Sequence, residues 1–353
     1  MSVALADLWA IDVIIAAFAG GAFGAALGAL PAFVFTGFMV IAGEAATVAN
    51  ADAGAITGSV AFGAPFSPAI SFAGGAAAAA YAAKRGYMQS GFDYHNAKDI
   101  TFALGTKPDV LAVGGVFGII GYWLTVLSST FALPYDPIAM GVVLSALLHR
   151  IAFGYPIIGK VRGDGILDMS PFEREELRSV GDQSAAATEE SRTATDGGQN
   201  ARLAVEPWLP HQYEWGNVAA VSLVSGLLGG YIAMATGSAF LAFGISAASL
   251  LFLNLGVERI PVTHHMTITG SAAALGATGG GDGGSLLVAL LWAGAVGTVS
   301  GLFGELFQRI FYAHGDTHWD PPAAAIVFGS FLVFVLYAVG LFPSASYVPT
   351  FGL

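Results

Sequence analysis

The sequence predicts an all-α integral membrane protein of roughly 9–10 transmembrane helices, some short, broken or re-entrant, arranged as two degenerate internal repeats. Three observations carry that expectation. Of 353 residues, 55% are hydrophobic and only 10% are charged, whereas soluble domains carry about 25% charged residues. Apolar runs long enough to cross a bilayer, which takes about 20 residues each, recur along the chain. Several sequence anchors return in the same order in the second half of the chain. A transmembrane β-barrel would instead show alternating segments of about 10 residues, and the runs here are continuous and rich in Ala, Gly and Leu.

In chain order, the first apolar run is 8–30, with Pro31 separating it from a second run over 32–49. A short apolar piece, 53–63, is followed by Pro65 and Pro68 and by the small-residue run 69–83, which stops at Lys84 and Arg85. Residues 86–108 are polar and aromatic and read as a loop. Two runs follow, 110–133 and 138–158, with a Pro-Tyr-Asp-Pro turn between them. Residues 160–212 read as a solvated linker, mostly disordered for want of apolar surface to bury. Ser170, Pro171 and Glu173 predict a short capped helix inside it, over 170–179. Apolar runs resume at 218–236, 239–255, 266–278, 286–312 and 323–342. The expected organisation is a first membrane repeat over 1–158, an acidic linker over 159–212 and a second repeat over 213–353. The start, MSVALADLWAID, lacks a basic region and carries Asp7 and Asp12, so it reads as a retained first helix and not as a cleaved signal.

Duplication is read from four matches in order. Asp12, Gly21 and Gly24 pair with Asn217, Gly226 and Gly229; Ala32, Phe33 and Gly37 pair with Ala239, Phe240 and Gly244; Ile56-Thr57-Gly58-Ser59 repeats at Ile268-Thr269-Gly270-Ser271; Asp136-Pro137 pairs with Asp320-Pro321. The polar stretch 86–108 then reads as an insertion in the first copy. Whether the copies are parallel or inverted depends on whether 53–63 crosses, and the sequence leaves both open. Basic residues at 84, 85, 98, 107, 150, 160 and 162 favour the cytoplasm for the loops that hold them.

Composition excludes several classes. Without cysteine there is no disulfide, thiolate metal site or thiol nucleophile. The four lysines all lie outside the apolar runs, which excludes a central retinal Schiff base. A net charge of −11 leaves no basic footprint for nucleic acid. Residues 160–206 hold ten acidic and six basic residues, a composition that predicts strong hydration in high salt and points to a halophilic archaeon. No Ser/His/Asp spacing, phosphate loop or HExxH motif occurs, so neither an enzyme nor a cofactor is expected.

The leading site candidates are the two Ile-Thr-Gly-Ser segments. Broken helices are tolerated in a bilayer where they are buried or line a wet cavity, and Thr57, Gly58, Ser59, Thr269, Gly270 and Ser271 offer hydroxyls and open backbone there; helix packing by small residues explains them equally well. Asp52 and His264 precede the two segments and join them as pathway candidates. Nearby Glu258 and Arg259 favour an aqueous rim for His264 and His265 over membrane depth. Glu44, inside the second run, is a candidate proton or cation group, or a helix-end residue. Glu305 and Arg309 are spaced as an intrahelical pair. His314, Asp316, His318 and Asp320 alternate; in an extended segment they would share one face and suit a divalent metal. Asp136 and Asp320, each before proline, also fit helix N-caps.

The stretches GGAFGAALGALPAFVFTGF, ITGSVAFG and SFAGGAAAAAYAAKRGY, within residues 18–87, resemble a family of uncharacterised permease-like membrane proteins of prokaryotes. The resemblance implies a multi-pass cell-membrane protein and carries no substrate. The expected function is transport or channelling of a small solute or ion along a pathway at the repeat interface. The alternative is a structural or lipid- or pigment-binding oligomer without transport. Membrane lipids are the expected partners, and the Gly/Ala faces predict a homo-oligomer.

Overall fold

The computed structural model describes residues 5–49, 55–88, 94–179, 201–280 and 285–353. It is all-α apart from one two-stranded hairpin. Five helices are long and apolar enough to cross a membrane: Ala29–Val48, Pro108–Thr130, Trp215–Thr236, Leu286–Tyr312 and Pro321–Ala338. Three shorter apolar helices accompany them, Ile11–Leu27, Pro137–Ala152 and Leu241–Asn254. Large apolar side chains such as Ile15, Phe35, Val224, Leu228 and Leu291 are exposed on the outside of the bundle, which is the surface a lipid environment would cover.

The elements are α1 (Ile11–Leu27), α2 (Ala29–Val48), a π-helical turn (Ile56–Ala61), α3 (Ser71–Lys84), α4 (Pro108–Thr130) and α5 (Pro137–Ala152). After the linker come α7 (Trp215–Thr236), α8 (Leu241–Asn254), α9 (His264–Thr278), α10 (Leu286–Phe307, running on as a π-helical turn to Tyr312) and α11 (Pro321–Ala338). The linker contributes α6 (Ser170–Glu173) and strands β1 (Leu177–Ser179) and β2 (Ala201–Leu203). Gly28, at φ +97°, makes the turn between α1 and α2 that a side-chain-bearing residue would resist. Asp136 and Asp320 cap α5 and α11: Asp136 Oδ1 accepts from the backbone N–H groups of Ile138 and Ala139, and Asp320 Oδ2 from Ala323.

Helices α1, α3 and α4 form one tight group, and α7, α9 and α10 another. Helix α2 packs on α8, and α5 on α11. Glycines make the tight approaches. A Cβ on Gly24 would fall inside 3.0 Å of the Ser71 carbonyl, and one on Gly229 would do the same at Thr267. Likewise Gly21 meets Gly114 and Gly118, while Gly226 meets the Ala293 carbonyl and lies beside Gly297. The glycines let backbones approach where a side chain would hold them apart, and dispersion contacts accumulate along the seam.

The bundle has two rims. Tyr122 Oη and Trp123 Nε1 donate to the carbonyls of Asp7 and Leu8, which places the end of α4 beside the start of α1. The chain's last residues return there too, with Phe351 N–H donating to the Ala132 carbonyl. This is the terminal rim. At the opposite, linker rim, Lys84 Nζ donates to the Phe153 carbonyl, joining the ends of α3 and α5.

Several sequence expectations are corrected. The two identical tetrapeptides do not share a setting: residues 56–59 form a π-helical turn against Gly43 of α2, whereas residues 268–271 lie in the middle of α9 and pack on α7. The described part of the linker is not a solvated coil. Arg178 and Glu206 are buried, and β1 pairs antiparallel with β2. Helix α6 spans four residues, not ten, and Ser170 lies inside it without capping; its hydroxyl donates to Asp168. The rest of the linker expectation, over 180–200, falls outside the described residues.

Candidate functional site

The seam between α1–α5 and α7–α11 encloses a cavity of about 500 Å³. Its middle is aromatic. Phe33 of α2 stands 5.9 Å from Phe72 of α3 and 5.9 Å from Phe243 of α8, ring centre to ring centre. Phe62 closes on Phe240 at 5.2 Å, and Phe240 on Tyr347 at 4.9 Å. His264, first residue of α9, completes this wall, 4.8 Å from Phe33 and 5.8 Å from Phe243. It is buried, as is His265, so the aqueous-rim expectation for both fails. Helix α9 begins inside the bundle, and its first turn is covered by α2 and α8.

The two ends of the cavity are polar. Toward the terminal rim it is lined by Thr125, Ser129, Asp136 and Tyr347. Toward the linker rim it is lined by Lys98, Asp99, Thr101, Tyr312, His318 and Asp320. His318 Nε2 lies 3.0 Å from Asp320 Oδ1. Both aspartates are occupied as helix caps, so neither offers a free carboxylate to the interior.

At the linker rim the stretch 94–101, the linker hairpin and the loop 313–320 are knitted by buried charge. Lys98 Nζ sits 2.6 Å from Glu206, both without exposed side-chain surface, and 4.4 Å over the Tyr312 ring. Arg178 bridges Glu206 at 3.4 Å and Asp316 at 2.8 Å. Burial lowers the Lys98 ammonium to about 8, against the opposing pull of Glu206. His95 is driven down to about 3, by burial first and then by Arg202, so it is neutral. Burial tends to raise Asp316, but Arg178 leads the groups that bring it net below the usual carboxylate range. Removing one partner from such a network leaves an uncompensated buried charge, a cost of about 3–5 kcal/mol.

Glu44 occupies a second polar centre at the same seam, near the terminal rim and outside the cavity wall. It is 9% exposed. Thr57 Oγ1 donates to its Oε1 at 2.7 Å, and Ser238 donates to its Oε2. Ser238 Oγ in turn accepts from Phe240 and Leu241 at the start of α8. The carboxylate therefore joins α2, the π-helical turn and the N-terminus of α8, whose partial positive charge favours an anion.

Among the described pathway candidates, only His264 lines the cavity. Thr57 serves Glu44, and Gly58 and Ser59 belong to the π-helical turn away from the wall. Thr269 Oγ1 donates back to the His265 carbonyl, Gly270 faces Gly226, and Ser271 Oγ donates to the Gly229 carbonyl, so all three serve helix packing. Asp52 falls outside the described residues. Glu305 and Arg309 do pair, at 2.6 Å, and Arg309 also donates to the carbonyls of Leu167 and Tyr213.

The metal expectation is overturned. His314 contacts the Ile166 carbonyl, Asp316 binds Arg178, and His318 turns to Asp320. The segment is a folded loop, so alternation does not put the four on one face. Among the described residues no three His, Asp or Glu groups converge as metal ligands.

The cavity's aromatic wall was not singled out from the sequence, because phenylalanine in an apolar run looks the same facing lipid, core or chamber. Asp136 is legible in the sequence as a helix cap and, through Asp320-Pro321, as an anchor of the duplication, but no local signal places it at a cavity.

Helices of this length and apolarity, with lipid-suited outer faces, mark a helical protein of membrane type. The chain matches a family of unknown function, DUF7973, over residues 3–351 and belongs to it. No curated protein and no solved structure matches the chain.

Proposed function

We propose that the protein is a multi-pass, permease-like carrier of the cell membrane that moves a small amphipathic solute, uncharged overall, through the cavity at the seam. The carrying observation is the cavity itself: about 500 Å³ between the two helix groups, aromatic in the middle and polar at both ends. That volume lies in the range of small-molecule sites. The rings of Phe33, Phe72 and Phe243 suit an apolar body. A charged solute would need a counter-charge, and the charges around the wall are engaged elsewhere: Asp136 and Asp320 cap helices, and Lys98 pairs with Glu206. The basic residues at the linker rim favour the cytoplasm for that rim. The acidic, lysine-poor linker fits a high-salt cell, as in a halophilic archaeon. Exposed apolar faces fit membrane lipids, and the same faces allow a homo-oligomer.

The test is a thermal-shift panel on purified protein: phenyl glucoside and benzamide against benzoate and benzylamine, followed by liposome counterflow of whichever compound stabilises. The expected result is stabilisation by the uncharged pair, counterflow of that compound, and loss of both in a cavity-filling Ile326→Trp variant. Binding unaffected by Ile326→Trp, or preference for the ions, sinks this reading.

A second reading, a lipid- or pigment-binding protein without transport, draws on the apolar majority of the wall. It predicts a lipid or chromophore extractable from the pure protein in about one-to-one ratio and no counterflow.

A further inference from the structure

The tight contacts on the two sides of the seam obey one rule. Matching Gly21 with Gly226 pairs Gly114 and Gly118 on one side with Ala293 and Gly297 on the other, and Ala17 with Ser222, because each set meets in the same way. Gly74 lies on Gly21 as Gly270 lies on Gly226, and Gly24 lies on Ser71 as Gly229 lies on Thr267. These contacts pair α3 with α9, so that Gly75 corresponds to Ser271 and not to Gly58.

The seam contacts are reciprocal. A Cβ on Gly37 of α2 would meet Ala247 of α8, and a Cβ on Gly244 of α8 would meet Val40 of α2. With Gly37 equivalent to Gly244, Val40 is equivalent to Ala247, so the two contacts are one contact seen twice. The same holds for α5 and α11. The Asp136 N–H donates to Ser330, ten residues past Asp320, and Ala146, ten residues past Asp136, meets Asp320 at a small hollow. A surface patch that meets its own copy in this way is the mark of a two-fold axis. In both pairs residue numbers rise on one helix as they fall on the other, so the helices run antiparallel. A two-fold that makes antiparallel pairs lies across the helices, in the plane of the membrane.

We infer that α1–α5 and α7–α11 are an inverted duplication about an axis through the cavity, and that Asp136 and Asp320 mark its two equivalent mouths, on opposite membrane faces. Resting on the carrier reading above, the two mouths open in turn. The axis makes each half able to adopt the other's conformation, so a state open at one mouth implies a mirror-role state open at the other. Residues 94–101 line the Asp320 mouth, whereas Tyr347, near the chain's last residues, stands at the Asp136 mouth.

The chain has no cysteine, so single-cysteine variants can be read cleanly in sealed vesicles with a membrane-impermeant maleimide. Thr106 and Ser285, just before α4 and α10, are equivalent positions and both exposed. Thr106→Cys and Ser285→Cys are expected to react from opposite faces; reaction from the same face overturns the inversion. Ser129→Cys and Thr101→Cys probe the two mouths. In the double variant, each is expected to react from its own face, and blocking one is expected to slow the other at least tenfold. Simultaneous, independent reaction, or none at either mouth, overturns the alternating mouths and the carrier reading, while the first pair of variants still decides the inversion.

Discussion

The two halves of the bundle agree where backbones touch and differ where charges sit. Glycine meets carbonyl at equivalent points in α1/α3/α4 and α7/α9/α10. By the same matching, Glu44 stands opposite Leu251, His264 opposite Pro68, His265 opposite Ala69, Glu305 opposite Val126, and Arg150 opposite Phe334. Close packing leaves little room for change: a methyl group inserted at a helix crossing forces whole elements apart. A polar side chain at the seam has no such constraint once its hydrogen bonds are met. The close helix contacts therefore reside in the shared positions, and the buried charges of the seam in the unshared ones.

The comparison breaks most directly at the glycines. Gly24→Val and Gly229→Val place side-chain atoms inside a backbone carbonyl's radius. Both are expected to abolish folded protein on size-exclusion of detergent extracts, and to equal extents if the halves are equivalent; a tolerated variant at either would show the two contacts are not matched. Gly270→Ala meets Gly226 backbone and is expected to cost about 1–3 kcal/mol, read as a lowered melting midpoint.

Next come the unshared polar groups. Glu44→Leu installs the residue of the other half. It leaves Thr57 and Ser238 without their acceptor and is expected to cost about 1–3 kcal/mol, with Glu44→Gln costing less. A variant as stable as the parent would show that the carboxylate does not tie α2 to α8.

A smaller effect concerns pH. Lys98 is lowered from its ordinary 10.5 to about 8, burial being the leading cause. Between those values the unfolded chain binds more protons at this site than the folded one, so stability attributable to Lys98 rises with pH across that window. Lys98→Met is expected to remove that slope in denaturation midpoints taken from pH 7.5 to 10; an unchanged slope would assign it to another group. The least change is expected at Gly58→Ala, where an added Cβ meets nothing within 4 Å. It should shift the midpoint by no more than about 0.5 kcal/mol, in contrast with Gly270→Ala in the identical tetrapeptide.

That contrast shows what pattern reading misses. Ile-Thr-Gly-Ser repeats exactly in the two halves, yet one copy sits in a π-helical turn and the other is a helix-packing face. The shorter matches, Gly21/Gly24 with Gly226/Gly229 and Asp136-Pro137 with Asp320-Pro321, lie at contacts and caps that recur in the fold. A four-residue match recurs easily in a chain built from so few residue types, whereas a lone glycine at a crossing is held by sterics.

The helical, membrane-type character of the chain, the two aspartate caps and the Glu305–Arg309 pair were determined by sequence alone, whereas the first turn falls at Gly28 and leaves Pro31 inside α2. Each depends on local spacing: run length, proline after a capping acid, or charges four apart on one helix. Tertiary structure decided which phenylalanines face a cavity, that His264 and His265 are buried, that Glu44 bridges α2 to α8, and that the hairpin's ions pair with residues more than a hundred positions away. Burial and electrostatic pairing depend on what the rest of the chain brings near, and helical periodicity is silent on which of several apolar faces meets lipid, core or chamber.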